Sequence, residues 1–155
     1  MQIKDLTIKQ LSTNDNTPYH LLYLADPSKE AVDDYLKRGF CYLAFIDNTL
    51  VGEYVLLPTR PFTYELVNVA VDESHQGKGI GKQLINHAIE TAKSKKAKVL
   101  EVGTGDCGTI HLALYQKCGF TISWIDFDFF TKHYEEKIVE NGLECKHMVR
   151  FRMDL

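Results

Sequence analysis

The amino-acid sequence predicts an α/β (α+β) fold in a single domain spanning residues 1–155, with elements in the order βααβββαβαββ. Three observations carry this. The run Leu66-Val67-Asn68-Val69-Ala70-Val71 is too short and too β-branched for a helix and reads as a strand. Ile80, Leu84, Ile85, Ala88, Ile89 and Ala92 recur at three- and four-residue intervals, with Lys82, Asn86, His87 and Glu90 on the other face, so a helix follows. Between the two lies a glycine-rich turn at residues 76–82.

The remaining elements follow from the same rules. Residues 3–9 read as an opening strand. Residues 18–25 and 28–38 read as helices, the second with Ser28 as N-cap, Glu30 in its first turn and Gly39 past its end. Phe40–Ile46, a turn at Asp47-Asn48 and residues 51–57 form a hairpin. Pro58 and Pro61 are expected to break the pattern before a strand at 64–71. After the central helix come a basic stretch (Lys93, Lys95, Lys96, Lys98), a strand at 99–102, and a short helix within 112–120 that ends at Gly119. Residues 120–130 and 144–153 read as two long strands joined by a polar excursion around 133–142.

Composition narrows the function. At 155 residues and 45% hydrophobic, the chain buries a core without splitting. A net charge of -3 gives no hint of a nucleic-acid surface. No apolar run approaches the roughly 20 residues needed to cross a bilayer, and residues 1–10 are no signal peptide. Cys41, Cys107, Cys118 and Cys145 lack zinc-like spacing, so reduced thiols in a cytoplasmic protein are expected, without a metal.

The glycine turn suits an anion, because Gly77, Gly79 and Gly81 let backbone N–H groups approach closely and the next helix adds unpaired donors. Lys78 and Lys82 add full charges. A Walker A loop fails: Gln76 stands where its first glycine belongs, and Gln83 follows Gly81-Lys82. A dinucleotide fingerprint from Gly77 would need its third glycine at Lys82. A second glycine pattern, Gly103-x-Gly105-x-x-Gly108, follows the strand at 99–102 and taken alone is that of an S-adenosylmethionine methyltransferase. Too few residues remain after it for the rest of a doubly wound domain.

What fits is Gln-x-x-Gly-x-Gly at Gln76, Gly79 and Gly81, which resembles the acetyl-coenzyme A loop of the GNAT superfamily of N-acetyltransferases. Downstream, Leu114-Tyr115 preceding Gly119-Phe120 is similar to the family's second signature. The element order matches over essentially the whole chain, and the resemblance implies a mixed, mostly antiparallel central sheet of about seven strands with about four helices. It further implies transfer of an acetyl group from acetyl-CoA, as co-substrate, to a primary amine of a small molecule, by direct attack in a ternary complex.

Site residues follow position by position. Gln76, Gly77, Lys78, Gly79, Ile80, Gly81 and Lys82 would hold the pyrophosphate. The backbone of Val69, Ala70 and Val71 would face the pantetheine and the carbonyl oxygen. Tyr115 would give the departing thiolate its proton, and Glu65, at a histone-type offset before Gln76, would take one from the amine, directly or through water. Its alternative is a surface carboxylate at a strand end. Where many members carry an asparagine on the tyrosine helix, this chain has Gly108 and His111, so either Asp106 or Thr109 takes that contact or the helix starts differently. The lysines at 93–98 reach the coenzyme's 3′-phosphate or merely solvate a helix end. Tyr19, Tyr23, Asp33, Asp34, Tyr35, Asp126, Asp128, Tyr134, Glu135 and Glu136 lie in segments that would build the acceptor pocket and suit a cationic amine. A homodimer through C-terminal edge strands is possible on the same pattern. The rival in another class is a non-catalytic acyl-coenzyme A or partner-binding module on this fold.

Overall fold

The structure, a computed structural model, describes residues 5–155. Residues 3 and 4 of the expected opening strand lie outside that range; β1 covers Leu6–Gln10. Helices α1 (Tyr19–Ala25) and α2 (Lys29–Arg38) follow, and the Ser28 side chain caps α2 by accepting from the Ala31 amide at 3.2 Å. Then come β2 (Phe40–Ile46), β3 (Thr49–Arg60), β4 (Thr63–Val71), a single 3-10 turn at Glu73–His75 and α3 (Ile80–Ser94). All six residues of the apolar stripe read from the α3 sequence are buried. β5 (Val99–Gly105) and α4 (Thr109–Lys117) lead into the C-terminal part.

The C-terminal part departs from expectation. The strand starting near Phe120 ends at Asp126, as β6 (Thr121–Asp126), and α5 (Phe129–His133) replaces its second half. Asp128 adopts φ 58°, which no strand accommodates, and its amide donates to His147 Nδ1 at 2.9 Å. The aromatic run Phe127-Asp128-Phe129-Phe130 has no period that separates strand from helix, which is why the sequence misleads there. A small hairpin, β7 (Val139–Glu140) and β8 (Leu143–Glu144), fills the polar excursion, and β9 (Met148–Asp154) closes the chain. Pro58 also does not end its strand: β3 continues to Arg60 with Pro58 opposite Tyr64, beside an irregularity in register.

Seven strands form one sheet in the order β1-β2-β3-β4-β5-β9-β6, antiparallel except for β4 and β5. One face packs Tyr54, Leu56, Leu66, Leu100, Val102 and Phe151 against α3 and Tyr115 of α4. The other packs Leu43, Val55 and Leu57 against Leu22 of α1 and Val32 and Tyr35 of α2. Two irregularities of β4 position the site. Its register against β3 slips between Val55–Asn68 and Leu56–Leu66, so Val67 is a bulge. Its parallel pairing with β5 covers only Thr63–Val99 to Leu66–Val102, and beyond that the two strands fork.

The cysteine expectation is corrected in part. β5 and β9 pair, which brings the ends of their flanking segments together, and Cys107 is disulfide-bonded to Cys145 across 38 positions; Cys41 and Cys118 are free. Glu140 lies beside that pair, the one cluster of metal-ligating types among the described residues, and both its sulfurs are bonded to each other.

Candidate active site

The fork leaves the β5-facing edge of β4 open from Val67 to Val71. The Asp72 amide donates to the Val51 carbonyl at 2.8 Å, which makes Asp72 and Val51 a hydrogen-bonded pair. Antiparallel alternation then gives Ala70 to Glu53, and turns the N–H and C=O of Val69 and Val71 towards the fork. Of the three expected residues, Val69 and Val71 therefore present backbone groups to the opening, whereas Ala70 faces β3. The Gln76 side chain closes one end of this edge, its Nε2 donating to the Val71 carbonyl at 3.0 Å.

The glycine turn leads from that edge into α3. Gly77 and Gly79 sit at φ 76° and 83°, the left-handed region that an L side chain avoids, and a Cβ on Gly77 would meet nothing within 4 Å. Gly79 is the N-cap and offers no side chain; the first intrahelical bond is Gln83 N–H to the Gly79 carbonyl, at 3.2 Å. The amides of Ile80, Gly81 and Lys82 are thus free to bind an anion, with no acidic residue in the first turn to occupy them. Lys78 and Lys82 are exposed beside the turn.

Leu114, the residue before Tyr115 on α4, reaches the same corner. A Cβ on Gly81 would lie 3.8 Å from Val71 Cγ2 and 4.0 Å from Leu114 Cδ2, so the β4 end, the α3 start and the residue before Tyr115 meet. The Tyr115 ring is buried between Phe120 and Phe151, with centroids 6.0 and 5.6 Å away. Burial pushes its phenol well above the usual range, with Cys118 acting in the same direction, so the hydroxyl keeps its proton.

Glu65 stands one residue before the fork, on the sheet face that α1 and α2 cover, and is half-buried. Burial raises its carboxyl above the ordinary glutamate value; Arg150 opposes this and Glu101 adds to it. Arg150 was not legible as a site residue. Its Nη1 donates to Glu65 Oε1 at 3.2 Å, and its Nη2 lies 4.0 Å from Asp126 Oδ2. A second polar chain underlies the bulge: Asn68 Nδ2 donates to the Tyr35 hydroxyl at 2.8 Å and to the Leu22 carbonyl at 3.0 Å. The Tyr35 and Tyr134 hydroxyls donate to the two Asp26 oxygens at 3.3 and 2.9 Å. Helix α1, helix α2, the bulge and the segment after α5 are joined by it.

Several expected residues have other partners. Asp106 Oδ1 accepts from the Lys146 and His147 amides at 2.9 and 3.1 Å, tying the end of β5 to the start of β9. Asp33 pairs with Lys29 and accepts from Tyr19, and Asp34 pairs with Arg38, all on the exposed side of the helices. Asp128 faces His147 at 3.8 Å, and Glu135 and Glu136 are exposed. The lysines at 93–98 lie at the far end of α3, 15 residues or about 22 Å from the glycine turn. Lys95 instead sits over the Phe40 ring, 3.7 Å from its centroid.

Comparison with known proteins bears on the same features. Residues 7–120 match the model of the acetyltransferase (GNAT) family. The chain is 53% identical, over the full length of both, to an N-acetyltransferase of Bacillus subtilis, YvbK, described as uncharacterized. It is 34% identical to streptothricin acetyltransferase of Escherichia coli over 76% of this chain and 64% of that one. A GNAT family acetyltransferase from Elizabethkingia anophelis, solved with acetyl-CoA bound, superposes with a TM-score of 0.97 at 46% identity, over 98% of this chain and 99% of that one. The forked strand, the uncapped glycine turn and the tyrosine beside them are thus features of a chain that belongs to the GNAT family of acetyltransferases.

Proposed function

We propose that the protein transfers the acetyl group of acetyl-CoA to a primary amine of a small molecule, by direct attack while both are bound. One observation carries this reading: an open strand edge at Val69 and Val71 runs straight into the amides at the start of α3, which bond no described residue, with Leu114, the neighbour of Tyr115, packed at the junction. That arrangement suits a ligand with an amide-bearing arm ending in a pyrophosphate, which is the chemistry of acetyl-CoA.

In this reading the Ile80, Gly81 and Lys82 amides hold the pyrophosphate, with Lys78 and Lys82 adding charge. Val69 and Val71 hydrogen-bond the arm, and one of their N–H groups faces the carbonyl oxygen where negative charge grows. The thioester supplies an activated carbonyl: a C–N bond forms, the C–S bond breaks, and the thiolate needs a proton. Tyr115 gives that proton and regains one from the nitrogen, which sheds its second proton as it becomes an amide. Glu65 takes one from the ammonium, whose ordinary pKa near 10 leaves it unreactive at neutral pH.

The acceptor side is lined by acids, Glu65 and Asp126 around Arg150, which favours a cationic amine, and the streptothricin enzyme among the relatives supports a small-molecule acceptor. The exposed Ile122 and Trp124 on edge strand β6 support self-association, which sedimentation measures directly. The test of function is thiol release from acetyl-CoA with polyamines, aminoglycosides and amino-terminal peptides. Amine-dependent release is expected; binding of acetyl-CoA with no such release across the panel would favour a coenzyme-binding module.

A further inference from the structure

Arg150 lies on β9 opposite Gly103 of β5, and reaches Glu65 on β4 by crossing β5. Two strand spacings are about 10 Å, so the crossing requires that nothing stand on the intervening strand. Gly103 meets that requirement. A Cβ there would lie 3.1 Å from Arg150 Nη1 and 2.7 Å from Met148 Sδ. This first glycine of the Gly103-x-Gly105-x-x-Gly108 pattern therefore has a packing reason that has nothing to do with a nucleotide.

The guanidinium is gripped from its other side too. Asp126 Oδ2 lies 4.0 Å from Nη2, and the Phe129 ring centroid 5.3 Å from Cζ. Its side chain is 15% exposed, and its Nε is buried without a hydrogen-bond partner among the described residues. A buried arginine placed for packing alone would satisfy that donor. Here the two carboxylates and the ring fix the position instead. Glu65 is bound through Oε1 only, and no described residue hydrogen-bonds Oε2.

We propose that Arg150 is a positioning residue for acetyl transfer: seated across Gly103, it holds Glu65 by one oxygen and leaves the other directed at the fork, for the proton of the acceptor amine. The inference rests on the reading of Glu65 as the base. The groups facing Glu65 are Arg150 from β9, Glu101 from β5, itself paired with Arg60 of β3, and Asp126 from β6 beyond the guanidinium. Arg150 is the one cation among them in contact with Glu65, and it favours the ionised carboxylate that burial opposes. Two carboxylates around one guanidinium leave a net negative charge, which suits an ammonium acceptor.

The experiment follows the Glu65 carboxyl by 13C NMR titration in the full-length protein, so that no acceptor is needed. Arg150→Gln should raise its midpoint by about one pH unit or more, the size of a lost close ion pair. Arg150→Lys should restore most of that shift, and Gly103→Ala should move the midpoint in the same direction by less, because the new Cβ displaces the guanidinium. Acetyl-CoA affinity should stay within about twofold in all three. With an amine that supports thiol release, the acidic limb of kcat/KM should move with the midpoint. An unmoved midpoint in folded Arg150→Gln overturns the role of Arg150. Failure of the base reading looks different: Glu65→Gln would then keep the wild-type rate and acidic limb, whatever the midpoints do.

Discussion

On one side of the fork the groups that we propose meet the ligand are backbone amides; on the other they are side chains. The start of α3 offers the N–H groups of Ile80, Gly81 and Lys82, and β4 those of Val69 and Val71. Across from them Glu65, Arg150 and Asp126 come from three strands that lie far apart in the chain. An amide site needs a left-handed turn and an uncapped helix, which a few adjacent glycines specify. A side-chain site needs registers, since Arg150 meets Glu65 only because β9 pairs with β5 and β5 with β4. The first kind is local and the second is not.

Mutations that separate the two sides test the contrast. Tyr115→Phe, on the amide side, should lower kcat by about 10²-fold with every amine, at the low end of general-acid effects, and leave acetyl-CoA affinity unchanged. Equal rates in stopped-flow thiol release would remove the acid. Glu65→Gln should lower kcat/KM by a similar factor near neutral pH and abolish its acidic limb. Because burial raises the Glu65 carboxyl, that limb should fall above the ordinary glutamate range, with activity lost as pH drops through it.

Gly81→Asp should weaken acetyl-CoA binding by about tenfold or more, since a carboxylate occupies the amides at the start of α3. Thermal stability should stay level or rise slightly. A Cβ at Gly81 makes only ordinary contacts, and an acid in the first turn favours the helix. Calorimetry and melting together check the opposite signs. Asp126→Asn, on the side-chain side, should raise the amine KM several-fold and leave acetyl-CoA affinity alone, because one carboxylate of the acidic pocket loses its charge.

The smallest effect concerns stability. Glu53 of β3 is fully buried, neither of its oxygens has a hydrogen-bond partner among the described residues, and burial holds its carboxyl well above the usual range. The folded state therefore favours the protonated acid. Stability tied to this group is fully present below the ordinary glutamate pKa and is lost as pH rises towards the raised folded value. Glu53→Gln should flatten that dependence, seen as a smaller difference between urea midpoints at pH 5 and pH 8.

The same contrast explains what could be read in advance. The α3 stripe, the Ser28 cap and the glycine turn were legible because each depends on residues within a turn or two of one another. The element order held up to Asp126. It failed beyond, where Asp128 takes a left-handed conformation and a packed aromatic group, Phe129, Phe130 and Tyr134, decides the local structure. The partners of Asp106, Lys146 and His147, could not be read in advance, because they lie 40 and 41 positions away. Arg150 carried no signal in the sequence, since an arginine in an alternating strand has the look of a solvent-facing residue.

A crystal structure of the protein soaked with coenzyme A tests the central claim most directly. The pyrophosphate oxygens should lie within hydrogen-bonding distance of the amides between Gly77 and Lys82, with the pantetheine arm along the open edge of β4 at Val69 and Val71. A coenzyme bound elsewhere, or one that leaves those amides without contact, would contradict the account.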